Sequence, residues 1–177
     1  AQWEGTGALN SGDVATLQVE PTGVLEIRND ESLYYNYGGG MTVFNNSGVV
    51  RKLASAGTST FYSVQFNNAG RLDMDSGIVS FTGPFAQENA MLSFSLRGLA
   101  DFGHIGITGA APLNGSLEAS LKAGFQPSAG DVFALVNYGS RSGGFTNWLL
   151  PILTNGLSWK ASYLTDRLQL QAFAVSN

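Results

Sequence analysis

The sequence contains no cysteine, which excludes disulfides, redox-active thiols and cysteine-ligated zinc. Charge is also scarce, because charged residues make up only 12% of the chain, against a usual share of roughly 25%. The nine Lys and Arg residues are scattered and the formal net charge is −4, so no basic stripe is available for nucleic acid. No apolar run approaches the ~20 residues that cross a bilayer. We therefore expect neither a nucleic-acid partner nor a membrane span.

The chain also lacks a recognisable signal peptide, because Ala1-Gln2-Trp3-Glu4 has neither a charged start nor an apolar stretch. We expect either a mature protein or a piece of a longer chain. What the chain does contain is glycine, 23 residues among 177, together with 44% hydrophobic residues. This composition is typical of short strands joined by tight turns, with an outer surface of Ser, Thr, Asn and Gln. Because such surfaces are common outside the cell, we predict a secreted protein of one domain, residues 1–177.

An internal repeat is the most informative feature of the sequence. Three segments align without gaps around glycines that lie 25 and then 22 residues apart, and a looser fourth copy follows. The aligned glycines are Gly23, Gly48, Gly70 and Gly98. The position four residues before each glycine is apolar, in Val19, Phe44, Phe66 and Phe94. In the three full copies the position two residues after it is apolar as well, in Leu25, Val50 and Leu72.

This alternation of apolar and polar residues around a glycine turn indicates short strands with one buried face. No stretch shows convincing helical spacing. A repeat of 22 to 28 residues made only of strands is too short for a propeller blade and lacks the helix of a leucine-rich repeat. We therefore predict an all-β protein that winds as a parallel β-helix (solenoid) of short coils with capped ends. A right-handed winding is expected, because parallel crossovers are right-handed in roughly 98% of cases.

The alignment also predicts which side chains stack in neighbouring coils. Phe44 should lie over Phe66 in the core, since strands of successive coils are about 4.8 Å apart. Two ladders of amide side chains are expected at the turn, Asn45 over Asn67 and Asn46 over Asn68. Each amide would donate to one neighbour and accept from the other.

On the outward face, Glu26, Arg51 and Asp73 should stack with alternating sign. Lys52 disagrees with the pattern, because it falls where the other copies have an inward apolar residue. We expect the register to slip at Lys52 or a loop to begin there. Caps over the two ends of the core are expected from three tryptophans, Trp3, Trp148 and Trp159.

From Gly109 onward the pattern changes to a Gly-x-Leu strand, a Gly-Phe-x-Pro-x-x-Gly-Asp-x-Phe turn at 124–133 and a Gly-x-Phe corner at 143–145. This order resembles the closing segment of β-helical regions in large bacterial secreted and autotransporter-like proteins. The resemblance implies repeat coils over 1–108 and closing coils with a C-terminal cap over 109–177. The chain is also similar in type and composition to β-helical carbohydrate-binding modules of bacterial xylanases. That similarity implies a polysaccharide ligand and covalently attached catalytic or anchoring domains in a longer chain.

A cluster of aromatic residues is the strongest functional candidate. Three tyrosines occur within four residues before a glycine run, and Tyr62 lies about one coil later. Tyr34 and Tyr35 must point to opposite faces of an extended strand, so at least one is outside. Sugar rings stack on exposed aromatic faces, and polar neighbours can bind their hydroxyl groups. The candidate carbohydrate-binding residues are Tyr34, Tyr35, Asn36, Tyr37, Tyr62, Asp30 and Glu31. Alternatively, the tyrosines fill the end of the core with their hydroxyl groups in water.

Catalysis is less well supported by the sequence. Asp73 and Asp75 would share a strand face like a glycosidase pair, but the residues after Asp75 indicate a turn. Arg51, Lys52 and Arg71 could flank an acidic sugar as in β-helical lyases, yet the chain is short for such an enzyme. The only histidine, His104, lies near Asp101 in an expected strand and without a nucleophile elbow, which favours a structural role. Isolated acidic residues without calcium-loop spacing imply no metal, namely Asp13, Asp30 and Asp131.

We therefore expect a protein that is not an enzyme and needs no cofactor. The predicted function is a non-catalytic carbohydrate-binding module of a secreted bacterial polysaccharide-degrading enzyme, recognising a plant cell-wall glycan such as xylan. The alternative is a structural stalk or passenger segment of a bacterial surface protein, without a ligand of its own.

Overall fold

A computed structural model describes residues 1–175. These residues form β-strands and turns and contain no helix, which confirms the prediction of an all-β protein. Among them there is accordingly no helix of the length and hydrophobicity needed to cross a membrane. The strands are β1 (Gln2–Trp3), β2 (Leu9–Ser11), β3 (Thr16–Val19), β4 (Val24–Ile27), β5 (Leu33–Tyr35), β6 (Val43–Asn46), β7 (Val49–Lys52), β8 (Thr58–Tyr62), β9 (Gln65–Asn68), β10 (Arg71–Met74), β11 (Ile78–Phe81), β12 (Phe85–Gln87), β13 (Met91–Gly98), β14 (Asp101–Phe102), β15 (His104–Leu113), β16 (Ser116–Leu121), β17 (Val132–Gly143), β18 (Asn147–Leu149), β19 (Leu157–Tyr163) and β20 (Arg167–Ala174).

The strands form three sheets, here named A, B and C. Sheet A has the order β1-β4-β7-β10-β13-β16-β18, with β14 paired to β13. Sheet B has the order β19-β20-β17-β15-β11-β8-β5-β2, and sheet C has the order β12-β9-β6-β3. From β2 to β13 the chain adds one strand to sheet B, then one to sheet C and then one to sheet A, and this order occurs four times.

Parallel pairing dominates, as the repeat predicted. Every pairing between successive repeats is parallel, from β2 with β5 to β16 with β18. Within residues 1–175, antiparallel pairs occur only between β13 and β14 and among β17, β20 and β19. The last strands therefore close sheet B in the opposite sense to the strands before them.

A ladder of phenylalanines fills the core. The rings of Phe44 and Phe66 stack with centroids 5.1 Å apart at 11°, and Phe85 continues the stack 6.0 Å beyond Phe66. Phe61 and Phe81 from sheet B pack against Phe66 at 5.1 and 4.5 Å. Burying each of these side chains stabilises the fold by roughly 1.5–3 kcal/mol. The predicted contact between Phe44 and Phe66 is confirmed.

The two amide ladders are also confirmed. Asn67 Nδ2 donates to Asn45 Oδ1 at 2.9 Å, and Asn46 Nδ2 donates to Asn68 Oδ1 at 2.8 Å. The glycine that follows each ladder is explained by the close approach of successive turns. A Cβ atom on Gly70 would lie 2.2 Å from a backbone oxygen of the preceding turn, so no other residue fits without moving that turn.

The alignment of the first copy was correct after Gly23, where Leu25 pairs with Val50, but wrong by two residues before it. Leu17 pairs with Phe44, whereas Val19, the predicted partner of Phe44, pairs with Asn46. The reason is turn length: three residues separate β3 from Gly23, whereas a single residue separates β6 from the equivalent glycine. An alignment without gaps cannot include such an insertion.

The alignment of the fourth copy was wrong as well. Phe94 pairs with Met74 in sheet A, and Phe85 is the residue that pairs with Phe66. Ala90 precedes β13 where the earlier copies have a glycine before the equivalent strand. The alignment therefore matched Gly98, which ends β13 and is not a turn glycine.

Sheet A carries the predicted charge ladder on its outer face. Arg51 lies between Glu26 and Asp73 in register, with Arg51 Nε 2.8 Å from Asp73 Oδ2 and Arg51 Nη1 4.0 Å from Glu26 Oε1. The prediction of alternating sign is confirmed.

Lys52 corrects the expectation of a register slip or a loop. It pairs with Ile27 and Met74 without any shift, points inward and is 0% exposed. Its ammonium group donates to Asp30 Oδ1 at 2.8 Å, to Ser59 Oγ at 2.9 Å and to the backbone oxygen of the residue before Asp30. A buried amine is compatible with the core because all three of its protons have acceptors.

The three tryptophans lie on outermost strands of the sheets. Trp3 is buried on β1, and Trp148 on β18 packs edge-on against Phe145 at 5.8 Å. Trp159 on β19 packs against Phe133 at 5.9 Å, and its indole nitrogen donates to a backbone oxygen at 2.9 Å. Large aromatic side chains therefore cover the apolar core at both ends of sheet A and at the β19 end of sheet B.

Candidate functional site

The outer face of sheet B carries an aromatic pair. Tyr34 and Tyr62 are register partners on the parallel strands β5 and β8, so their rings lie side by side with centroids 5.6 Å apart at 46°. Tyr62 is 50% exposed and Tyr34 is partly exposed. Asn10 on β2 is the next residue in the same row. This row brings two ring surfaces and an amide to the surface.

The loop after β5 adds two further groups. Asn36 Nδ2 donates to Asn10 Oδ1 at 2.7 Å, which fixes both amides beside the aromatic pair. The backbone nitrogens of Asn36 and Tyr37 donate to the carbonyl oxygen of Ser11 at 3.0 and 3.2 Å. Tyr37 is 73% exposed. Backbone hydrogen bonds therefore fix the start of the loop, and the Tyr37 side chain projects from it into solvent.

Tyr35 occupies the opposite face of β5 from Tyr34, as alternation along a strand requires. Its ring packs against the hydrophobic core, and its hydroxyl group donates to the backbone oxygen of Gly39 at 2.8 Å. Tyr35 therefore supports the loop that carries Tyr37.

The two acidic candidates, Asp30 and Glu31, precede β5 in the chain, whereas the loop with Asn36 and Tyr37 follows it. The Asp30 carboxylate accepts a hydrogen bond from Lys52, and this bond lowers the pKa of Asp30. The backbone nitrogen of Glu31 donates to Asn29 Oδ1 at 3.4 Å. Asp30 is thus engaged with a buried cation, and the strand separates both acidic residues from Asn36 and Tyr37. Sugar binding by the candidate residues stays a prediction.

A row of small polar residues runs across sheet B beside the tyrosines. Successive strands β8, β11, β15, β17 and β20 place one residue each in this row, in the order Thr60, Ser80, Gly106, Asn137 and Arg167. The row has no bulky side chain until its last member, and its members from Ser80 to Arg167 line a depression of about 490 Å³. Sequence reasoning missed it. The usable signal was alternation, because Thr60 lies between the two buried residues Ser59 and Phe61.

The carboxylates considered for catalysis are engaged in ion pairs. Asp73 accepts from Arg51 at 2.8 Å, and Asp75 accepts from Arg97 at 2.7 Å and from Ser95 at 2.9 Å. Burial tends to raise the pKa of Asp75, but the hydrogen bonds from Arg97 and Ser95 outweigh it and the pKa is lowered. A general acid in a glycosidase needs the opposite shift.

His104 lies on the wall of a surface depression. With Arg97, Asp101 and Phe102 it lines a depression of about 480 Å³ at the β13–β14 hairpin. Burial lowers the pKa of His104, and its Nδ1 atom is buried without a hydrogen bond in the described chain. Within residues 1–175 no group of three or more acidic or histidine side chains could hold a metal ion.

Comparison with known proteins provides no assignment. No protein-family model matches the chain, and neither a curated protein nor a solved structure shows significant similarity to it.

Proposed function

We propose that the chain is a non-catalytic carbohydrate-binding module of a secreted bacterial polysaccharide-degrading enzyme. Its binding surface is the outer face of sheet B, and its ligand is a plant cell-wall glycan such as xylan. One observation carries this proposal: Tyr34 and Tyr62 lie side by side in register on the outside of adjacent parallel strands, with ring centroids 5.6 Å apart and ring planes tilted by 46°. Such a pair presents apolar ring surface at a fixed spacing without being needed in the core.

We further propose that the three sheets are the faces of a right-handed parallel β-helix with capped ends, forming one domain over 1–177. The four-fold repetition of one strand for each sheet supports this architecture. Repeat coils would occupy 1–108, and closing coils with a C-terminal cap would occupy 109–177. The antiparallel strands β19 and β20 and the tryptophans of β1, β18 and β19 are suited to capping.

The spacing of the rings suits a linear polysaccharide. Neighbouring parallel strands are about 4.8 Å apart, and a sugar residue in an extended β-1,4 chain is of similar length. A glycan that crosses the strands can therefore place successive sugars on Tyr34 and Tyr62. Stacking on an aromatic ring contributes roughly 1–3 kcal/mol in other polymers, so two rings give micromolar to millimolar affinity.

The polar groups beside the rings are already held in place. Asn10 and Asn36 are hydrogen-bonded to each other, and the strand that carries Tyr34 is paired on both sides. A pre-organised surface loses little conformational entropy when the ligand binds. Weak individual contacts can therefore give specific retention on an insoluble polymer.

Retention on insoluble xylan tests the proposal. The double variant Tyr34→Ala/Tyr62→Ala should lose retention, while its melting temperature stays nearly unchanged because both rings lie on the outer face. The matched control is Phe173→Ala, which removes another exposed aromatic ring from the far end of β20. Retention of the double variant at the level of the unmodified chain would contradict the proposed surface.

The same experiment distinguishes the structural alternative. A stalk or passenger segment without a ligand would not be retained on xylan, pectin or β-glucan even as the unmodified chain. The binding module should be retained on at least one of these polymers.

A further inference from the structure

A depression with a cationic lining lies at the end of sheet B where the β19–β20 hairpin turns. It has a volume of about 850 Å³ and is lined by residues of β17 and of the hairpin, among them Tyr138, Arg141, Tyr163 and Arg167. A second depression of about 490 Å³ shares Tyr138 and Arg167 with it and extends along the small-residue row to Ser80. The cationic depression is therefore continuous with the outer face of sheet B.

Arg141 is held in one orientation inside this depression. Its guanidinium carbon lies 4.3 Å from the centroid of the Tyr163 ring, and Nη1 donates to the backbone oxygen of Gly143. The Tyr163 ring is itself fixed, because its hydroxyl oxygen accepts from the backbone nitrogen of Phe145 at 2.8 Å. Stacking on an aromatic ring leaves the edge of the guanidinium group free to donate.

No carboxylate neutralises Arg141 within residues 1–175. Most other cations of the chain contact an acidic side chain, and those are Arg28, Arg51, Lys52, Arg71, Arg97 and Arg167. Arg141 differs from them because it is stacked and oriented but has no ion-pair partner in the described chain. The planar fork of donors in a guanidinium group matches the geometry of a carboxylate.

Arg167 supplies a second donor at the same place. Its Nη1 atom lies 3.6 Å from Asp166 Oδ2, and both side chains are largely in water, at 43% and 63% exposure. Such an exposed pair is weak and opens easily. Two cations and one carboxylate leave a positive excess here, in a chain whose net charge is −4.

We infer that Arg141 and Arg167 form a subsite for the carboxylate of a uronic acid carried by the bound glycan. This inference rests on the proposed function. The strands of Tyr62 and Arg141 are three steps apart in sheet B, about 14 Å at the usual strand spacing. About three sugar residues span that distance, so a chain seated on the tyrosines reaches the depression. The fork of a guanidinium group binds a carboxylate with two parallel hydrogen bonds, which a neutral sugar cannot accept in the same way.

The test compares two xylo-oligosaccharides of equal length, one unsubstituted and one carrying a single glucuronic acid, by isothermal titration at low salt. The unmodified chain should bind the acidic ligand about tenfold more tightly. Arg141→Gln and, separately, Arg167→Gln should reduce this preference. Added salt should also reduce the preference for the acidic ligand, because the subsite is open to solvent. The matched control is Lys160→Gln, which removes an exposed charge from β19 outside the depression.

Two outcomes separate the subsite from the function on which it rests. Equal affinity of the unmodified chain for the acidic and neutral ligands overturns the subsite and leaves the binding module intact. Binding of neither ligand overturns both. A preference that survives both arginine substitutions in folded protein also overturns the assignment to these residues.

Discussion

The outer faces of sheets A and B are built on the same core but offer opposite surfaces. On sheet A, charged side chains bind one another, as in Arg51 with Asp73 at 2.8 Å and Arg71 with Glu118 at 2.6 Å. On sheet B, the middle of the face is uncharged, and β8 presents the hydroxyl groups of Thr58 and Thr60 beside the ring of Tyr62. This difference in surface chemistry affects how favourably a ligand could bind to each face.

A ligand on sheet A would have to break existing ion pairs before making its own contacts. Separating a partly buried pair such as Arg51 with Asp73 removes the nearest ion-pair partner of each charge, which costs free energy. A ligand on sheet B displaces water from rings and hydroxyl groups that have few partners. We therefore propose that the outer face of sheet A contributes stability and that the outer face of sheet B binds the ligand.

The largest expected effect tests the core that supports both faces. Phe66 contacts rings on both neighbouring turns and on sheet B, and it is 0% exposed. Phe66→Ala should lower the free energy of unfolding by about 3–5 kcal/mol, measured by chemical denaturation. A loss below about 1 kcal/mol would contradict a shared aromatic core.

The next effect tests the link between the two sheets at Lys52, which extends from sheet A to Ser59 of sheet B. Asp30→Ala leaves the buried ammonium group without its charge partner. We expect a loss of about 2 kcal/mol, below the roughly 3–5 kcal/mol of fully buried pairs because Asp30 is half exposed. Lys52→Met should cost less, since its neighbours Ile27 and Met74 are apolar. A larger loss for Lys52→Met than for Asp30→Ala would contradict this account.

The same ion pair predicts a pH dependence. The hydrogen bond from Lys52 lowers the pKa of Asp30 below its ordinary value of 3.8. The stabilisation is therefore fully present above about pH 3.8 and is lost as the pH falls through the lower pKa of the folded state. The difference in unfolding free energy between the unmodified chain and Asp30→Asn should be constant near neutral pH and shrink in acid. A difference that grows in acid would show the opposite linkage.

A smaller effect is expected for the ion pairs on the outside of sheet A. Arg51→Gln should lower the free energy of unfolding by about 0.5–1 kcal/mol, because the pair is partly in water. Retention on xylan should not change. Loss of retention without loss of stability would move the binding surface to sheet A.

The smallest effect concerns catalysis. Since the pKa of Asp75 is lowered, its carboxylate is ionised at neutral pH and paired with Arg97. Reducing-sugar and unsaturated-product assays on xylan, pectin and β-glucan should stay at background for the unmodified chain and for Asp75→Asn. Activity that disappears in Asp75→Asn would refute the non-catalytic assignment.

The sequence was informative where identical residues repeat at a fixed distance from a turn glycine. Phe44 over Phe66 and Asn45 over Asn67 followed directly, because steric contact between turns demands glycine there. It was misleading where turn length varies, since Leu17 and not Val19 aligns with Phe44. The alignment gave Lys52 an inward position, but the acceptors that make this position compatible with the core, Asp30 and Ser59, could not be identified from the sequence.

The proposed binding surface was only partly predictable. Alternation showed that Tyr34 and Tyr35 face opposite ways, but the choice between them depends on packing of Tyr35 against the core. The pairing of Tyr34 with Tyr62 belongs to sheet B, whose strands lie outside the glycine alignment. The row from Thr60 to Arg167 carries no repeated residue, so its alignment emerges only from strand register.

The central claim is that a glycan binds sheet B and leaves sheet A untouched. It is tested most directly by titrating xylohexaose into isotopically labelled protein and following backbone amide shifts by NMR. We predict shifts that saturate together and cluster around Tyr34, Tyr62 and Ser80, while the amides of Arg51 and Asp73 stay unchanged. Shifts that cluster on Arg51 and Asp73, or their absence at millimolar ligand, would contradict the account.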